Sequence, residues 1–455
     1  MNKRSMTAKK HAASPQGPSI VLKGARLIDG NGGALLRKPV VVIRGERIAA
    51  LGAEGTVRVP RDAQVIDASR FTLMPGMFDC HVHIAAFNAV TFSNYRVAMW
   101  EVTPELENFY ALFHAQMCFE MGFTTLRDLG RFTYKGVFTA ASCAVRDAIN
   151  AGIMPGPRLF VAGRPVITNS HHDLTFPRAA IRQPGVVADG PWELRRCTRE
   201  HLRIGCDWIK TSASGGGGTA DEEPSVRNMT QEELDAIVDE AHAFLKPVAV
   251  HCFTPQSHRM CVKAGVDTIE HIVFTDDETL RLIRDAEIPV VPTLSHRTDH
   301  AIELRRRMGT NENILKKMKK IQPYTFESFK KFHQAGIKIA MGTDTGYDPE
   351  MGTSARELEI YVSLGMTPME ALQTATRNAA EALKVADDLG TLEVGKIADI
   401  VAVDGDPSRD IKVLQDKANI KLVMKDGLVH VDKISARPKS VIQCEPGSWK
   451  IIDKM

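Results

Sequence analysis

The sequence predicts an α/β fold: a (β/α)8 TIM-like barrel joined to a small β-sandwich domain formed from both chain ends. Three observations predict it. Compact apolar runs recur eight times through the middle of the chain, most stretches between them carry helical patterns, and short strand patterns occupy both ends. The expected boundaries are a tail at 1–17, the two parts of the small β-domain at 18–72 and 390–455, and the barrel at 73–389.

Taken in order, the first 17 residues are basic and polar and lead into no apolar stretch long enough for a signal peptide, so they read as a disordered tail. Strand patterns follow at 19–22, 25–28, 40–43, 47–51 and 64–67. Turn signals such as Asp29-Gly30-Asn31-Gly32-Gly33 and Pro60-Arg61-Asp62 separate them. At the far end, 395–403 and 420–431 read the same way, with a turn at Asp426-Gly427. Each β piece would be marginal alone, which predicts that the two ends share one sheet.

The eight apolar runs lie at 71–84, 124–129, 158–162, 208–212, 247–251, 268–271, 288–293 and 337–344. Between them, 230–244 has the pattern of an amphipathic helix, with Thr230 and Glu233 spaced as a capping box. The stretch 367–375 opens on Thr367 followed by Pro368, which suits the first helical position. Arg305-Arg306-Arg307, the lysines of 316–320 and Lys330-Lys331 read as the solvated face of one long helix.

Composition narrows the function classes. The chain has 455 residues, 44% of them hydrophobic, and a formal net charge of +3, so it shows no general basic field for nucleic acid or an anionic membrane. No run approaches 18 apolar residues, the length a membrane span needs. The eight cysteines form no C-x-x-C pair, which predicts reduced thiols and a cytoplasmic setting.

The first apolar run ends in His81-Val82-His83. Alternation along a strand points both imidazoles the same way, a geometry that suits zinc and its first-row neighbours. A barrel of this type carries its active site at the C-terminal ends of its strands. Lys210 is late in the fourth run, His251 ends the fifth, His271 the sixth and Asp344 the eighth. Any one of these alone reads as a core residue, a cap or, for Asp344 before Thr345-Gly346, a turn former. Six of metal-ligand type at corresponding ends of different strands point to one metal pocket.

On the motifs Pro75-Gly76-Met-Phe-Asp79-Cys-His81-Val-His83, Trp208-Ile-Lys210, Val250-His251, Ile269-Glu270-His271 and Gly342-Thr343-Asp344-Thr345, the chain resembles the amidohydrolase superfamily of metal-dependent hydrolases. It is most similar to the branch of imidazolonepropionase-like enzymes, Xaa-Pro and Xaa-Arg/Lys dipeptidases, ochratoxinase, and phenylurea and molinate hydrolases. The resemblance implies two divalent metal ions, zinc by default with cobalt, manganese or iron as alternatives. One would be held by His81, His83 and Asp344 and the other by His251 and His271, with Lys210, carboxylated by carbon dioxide, bridging both. It implies cleavage of a C–N acyl bond in a small-molecule amide, carbamate, thiocarbamate, urea or dipeptide. A metal-bridging hydroxide would attack, with Asp344 as general base and then general acid.

Other implications concern substrate contacts and assembly. The segment Asn169-Ser170-His171-His172-Asp173 aligns with a Gly-His-Gly-Asp element, placing His171 as the stabiliser of the carbonyl oxyanion. Ser170 and His172 stand where relatives have glycine, which leaves His172 as a competing candidate. The Gly-rich stretch 214–219 is a candidate substrate cradle, the aromatic stretch 87–104 a lid or pocket wall, His296 and His300 candidate substrate contacts, and Arg127 with Asp128 a buried supporting pair. Relatives assemble symmetrically, implying a homo-oligomer. A mononuclear deaminase or imidazolone-type ring hydrolase on the same fold is the alternative activity, against which Lys210 argues. A catalytically silent member is the third reading, against which the intact ligand set argues.

Overall fold

The computed structural model describes residues 19–86, 102–130, 140–168, 187–218, 222–346 and 350–442. The expected tail at 1–17, the segment with His171 and His172, and most of the 87–104 stretch lie outside them.

Strands β1 (Ile20–Leu27), β2 (Leu36–Arg37), β3 (Pro39–Arg44), β4 (Arg47–Ala53) and β5 (Gln64–Pro75) open the chain. Parallel strands follow: β6 (Met77–Val82), β7 (Phe123–Asp128), β8 (Arg158–Val161), β9 (Pro165–Val166), β10 (Ile209–Ser212), β11 (Val248–His251), β12 (Thr268–Glu270) and β13 (Val290–Val291). The chain then returns through β14 (Ile400–Val403), β15 (Ile420–Lys425) and β16 (Leu428–Asp432).

Both ends of the chain do share one sheet, ordered β16-β15-β14-β5-β1-β3-β4 with β2 paired to β1. The join is antiparallel, from Ile400 opposite Pro75 to Val403 opposite Thr72. Alternation gives β14 two faces: Ile400 and Ala402 pack with Leu22, Leu73 and Leu422, while Val401 and Val403 enter the core under the parallel strands.

Three sequence-level expectations change. The strand patterns at 19–22 and 25–28 form one strand, β1, with an irregularity between Gly24 and Arg26. The run at 71–84 divides at Gly76, because its first part extends β5 and only Met77–Val82 joins the parallel set. A Cβ on Gly76 would lie 2.2 Å from the Thr124 hydroxyl, so the chain can cross between the two sheets there only without a side chain. The basic stretch 305–320 is two helices, Asp299–Arg307 and Glu312–Gln334, broken at Gly309, whose φ is +76°, and restarted by the Asn311 cap.

The parallel ladders run β6-β7-β8 and β9-β10-β11-β12-β13. The strands β8 and β9 are parts of one chain run interrupted at 162–164, the first paired to β7 and the second to β10. The eighth apolar run forms no regular strand, yet it bridges both neighbours: Ile339 pairs with Val290 and Thr345 with Val82. The Cys80 N–H donates to the Met341 carbonyl at 2.9 Å, and the Asp344 N–H to the His81 carbonyl at 2.7 Å. Helices alternate with these strands, and the expected caps are present: Thr230 and Glu233, and Thr367 and Glu370, form complete capping boxes. No helix among the described residues is long and apolar enough to cross a membrane.

Candidate metal centre

The alternation of β6 brings His81 and His83 side by side, their ring centroids 5.3 Å apart. Asp344 meets them from the eighth run: its Oδ1 lies 2.9 Å from His83 Nε2 and 3.5 Å from His81 Nε2. These three side chains offer ligand atoms within 4.8 Å of one another. From β12 and β11, His271 stands 4.7 Å, centroid to centroid, from both His81 and His251. Phe253 stacks on the far side of His251 at 4.4 Å.

Local backbone geometry aims these groups. His271, Thr293 and Asp344 all have left-handed φ, at +64°, +54° and +61°. Each such residue costs roughly 1–3 kcal/mol and persists where surrounding structure fixes it. Here the His271 N–H donates to the Val291 carbonyl at 2.9 Å, and His271 Nδ1 lies 2.7 Å from the Thr293 hydroxyl. His81 Nδ1 lies 2.7 Å from Glu270 Oε2, and His83 Nδ1 faces the Gly130 carbonyl. With Nδ1 engaged in all three rings, Nε2 is left for the pocket. His251 differs, since its Nε2 lies 3.2 Å from the Gly215 carbonyl.

Electrostatics prepares the same groups. Burial, reinforced by Lys210, holds the His81 imidazole down to about 4, and burial pushes His271 well below its usual value. Both are neutral at ordinary pH, as metal ligands must be. Burial also lowers the Lys210 ammonium to about 8, against the pull of Glu270 and Asp344. Its Nζ is buried without a hydrogen-bond partner among the described residues, and so is His81 Nε2. Burial opposes ionisation of Asp344, yet His296, His83, His81 and His271 hold its carboxylate well below the usual range. Neutral imidazoles and an ionised carboxylate form a donor set that fits divalent cations, and the unpaired Lys210 nitrogen is buried beside them.

Behind the pocket, a buried chain fixes His81. Arg127 donates to Glu270 Oε1 at 2.7 Å, to the Cys80 carbonyl at 2.6 Å and to the Thr268 hydroxyl at 2.9 Å, and lies 4.4 Å over the Trp208 ring. Burial opposes the Glu270 charge, but Arg127 and His81 bring its carboxyl down to about 2. Glu270 is therefore the partner of Arg127, in place of the expected Asp128. Adjacent strand residues point to opposite faces, and the Asp128 carboxylate instead accepts the N–H of Ile84 at 2.8 Å and of Gly130 at 2.9 Å. Asp79 ties the first and eighth runs together, accepting from the Thr343 hydroxyl at 2.8 Å and the His81 N–H at 3.2 Å.

Other expectations are redistributed. The Gly-rich turn folds onto an internal anion: Glu222 accepts the N–H of Gly216 at 2.5 Å and of Gly218 at 3.2 Å. Those donors are engaged within the protein, which weighs against an open substrate cradle. Lys317, one of the lysines read as solvated, donates to the Glu222 carbonyl. His300 is 53% exposed at its side chain and lies 3.1 Å from the buried Glu350. His296 is buried within it, forming a second ligand-type triangle with His271 and Asp344. Glu270, Glu222 and Asp79 carry no separate role in the sequence reading. The available signal was the isolated acid and the isolated base inside apolar runs, Glu270 and Arg127.

The profile of the Amidohydrolase family matches residues 72–429. The ochratoxinase of Aspergillus niger is 29% identical over 442 residues, spanning 91% of this chain and 87% of that protein. The crystal structure of a Xaa-Pro dipeptidase with methionine in its active site superposes with a TM-score of 0.82 at 33% identity, covering 90% of this chain and 99% of that one. A prolidase complexed with N-methylphosphonate-L-proline gives 0.81 at 31% identity, with coverages of 90% and 99%.

Proposed function

The chain belongs to the amidohydrolase family, and from that premise we propose that it is a metal-dependent hydrolase of the amide bond in a dipeptide or a related N-acyl amino acid. The observation that carries this reading is the meeting of His81, His83, His271 and Asp344 in one pocket, with His251 beside His271 and the unpaired amine of Lys210 buried nearby. The substrate class follows the dipeptidase and the prolidase among the similar structures. The ladders and bridges from β6 round to the eighth run support reading the parallel strands as one closed (β/α)8 barrel with this pocket at its C-terminal rim.

His81, His83 and Asp344 would hold one divalent cation, zinc by default, His251 and His271 would hold a second, and Lys210 would contribute to both. When bound, they supply a polarised substrate carbonyl and a water acidified towards neutral pH. Lys210 contributes as a carbamate: its ammonium gives up one proton, and the neutral amine then forms an N–C bond to carbon dioxide and releases a second, so an unpaired cation becomes an anion. Asp344, ionised and held beside the histidines, accepts the proton of the attacking water and returns it to the leaving nitrogen. Glu270 and Arg127 keep His81 in one tautomer and orientation. His171, outside the described residues, remains the proposed partner of the carbonyl oxygen.

The test is a hydrolysis screen of the metal-loaded protein against Xaa-Pro and other dipeptides, N-acyl amino acids, phenylureas and thiocarbamates, paired with metal analysis of protein purified without chelator. Cleavage of the first two groups, lost on chelation and restored by metal, is expected. Cleavage confined to ureas or thiocarbamates would overturn the substrate class. Protein carrying far less than one equivalent of transition metal, and inert after loading, would overturn the enzyme assignment.

A further inference from the structure

Resting on the hydrolase reading above, we infer that His296 is a positioning residue for Asp344, holding the carboxylate's outer oxygen while Glu357 holds the turn that carries His296. The two oxygens of Asp344 are divided between two parts of the fold. Oδ1 faces His83 and His81 on β6, whereas Oδ2 lies 3.5 Å from His296 Nε2. His296 occupies the short turn Ser295–Arg297 that follows β13.

That turn is anchored at both ends of the contact. The Leu294 and Ser295 N–H groups donate to Glu357 Oε1 and Oε2 at 2.7 and 2.6 Å, a two-oxygen grip from the helix Arg356–Ser363. The Ser295 hydroxyl donates to the Thr343 carbonyl at 3.1 Å, one residue before Asp344. His296 and Asp344 therefore belong to segments stapled to each other, and Glu357 is fully buried. A carboxylate that must ligate through one oxygen and move a proton through the other loses efficiency if it rotates about its Cβ–Cγ bond. An imidazole packed 3.5 Å from Oδ2 limits that rotation, and as it closes to a hydrogen bond it leaves a second lone pair on the same oxygen for the water's proton.

The experiment uses the full chain loaded with Co(II), reading its visible absorption, its Co(II) stoichiometry, and kcat and KM on a dipeptide that the wild type cleaves. His296→Ala should keep the wild-type stoichiometry, shift the absorption bands, and lower kcat by about 10- to 100-fold with KM changed less than about 3-fold. His296→Gln, whose amide can donate to the same oxygen, should restore the wild-type bands and most of kcat. Glu357→Gln should move both readouts in the same direction as His296→Ala, by less.

Unchanged bands and kcat in His296→Ala would overturn the inference. Loss of a Co(II) equivalent would overturn it in favour of His296 as a ligand, and a raised KM with intact kcat in favour of a substrate contact. A wild type that binds no Co(II) defeats the hydrolase reading and this inference together. An active, Co(II)-binding wild type with an indifferent His296→Ala defeats this inference alone.

Discussion

The two ends of the parallel strands treat charge in opposite ways. At their N-terminal ends, Arg158 opens β8 and donates to Asp399 at 2.8 Å, to the Thr125 hydroxyl at 3.1 Å and to Asp426, while Asp399 also accepts the Asp426 N–H at 2.9 Å. The Arg158 guanidinium is paired with acceptors on three residues, and the cluster fastens β8 to the sheet made by the chain ends. At the C-terminal ends, Lys210 Nζ and His81 Nε2 are buried without hydrogen-bond partners among the described residues, and three residues hold left-handed backbone. Leaving a buried donor or acceptor unpaired costs roughly 1–3 kcal/mol. The Arg158 cluster ties the two sheets together, whereas the unpaired groups are those the proposed metal centre would engage.

The sharpest way to break that contrast is to mutate each end and compare what is lost. Asp344→Asn should cut kcat by about 10³-fold while retaining most of the bound metal and the unfolding midpoint, as measured by steady-state kinetics, metal analysis and urea denaturation. Near-wild-type turnover would remove Asp344 from proton transfer. Arg158→Ala should do the reverse. Stranding Asp399 and Asp426 should cost about 3–5 kcal/mol in urea denaturation, with kcat per folded molecule unchanged.

Acid should separate histidines from carboxylates. Burial holds His114, whose Nδ1 lies 2.6 Å from the Ile84 carbonyl, at about 4 against an ordinary 6.5, and it does the same to His201. The unfolded chain takes up these protons first. Stability from each group is therefore complete above about pH 6.5 and falls as pH drops towards about 4, by about 3 kcal/mol per histidine. His114→Asn should flatten that slope in urea titrations across the interval; an unchanged slope would show that His114 does not contribute to it. The smallest effect belongs to neither end: Thr230→Ala removes a helix cap and should cost about 1 kcal/mol with activity unaltered.

Short-range patterns made part of the centre legible. The spacing of His81 and His83 needs only strand alternation, and the capping boxes need only four consecutive residues. The strand-end placement of Lys210, His251, His271 and Asp344 followed once eight runs had been counted. The partners of these groups were not legible. Arg127 meets Glu270 across 143 positions of chain, and Leu294 and Ser295 meet Glu357 across 63 and 62. Nothing in the local pattern distinguishes His296, which is buried beside Asp344, from His300, which is half exposed against Glu350.

The sequence by itself determined which residues could ligate and which strand ends they occupy, because alternation and helix capping are local properties carried by a few neighbouring side chains. Only the tertiary structure decided that Gly76 divides the first run between two sheets, that Glu270 braces His81, and that the two oxygens of Asp344 face different elements. Those outcomes depend on which distant backbones approach one another, and that is set by pairing the parallel strands in shared ladders and packing both chain ends against them.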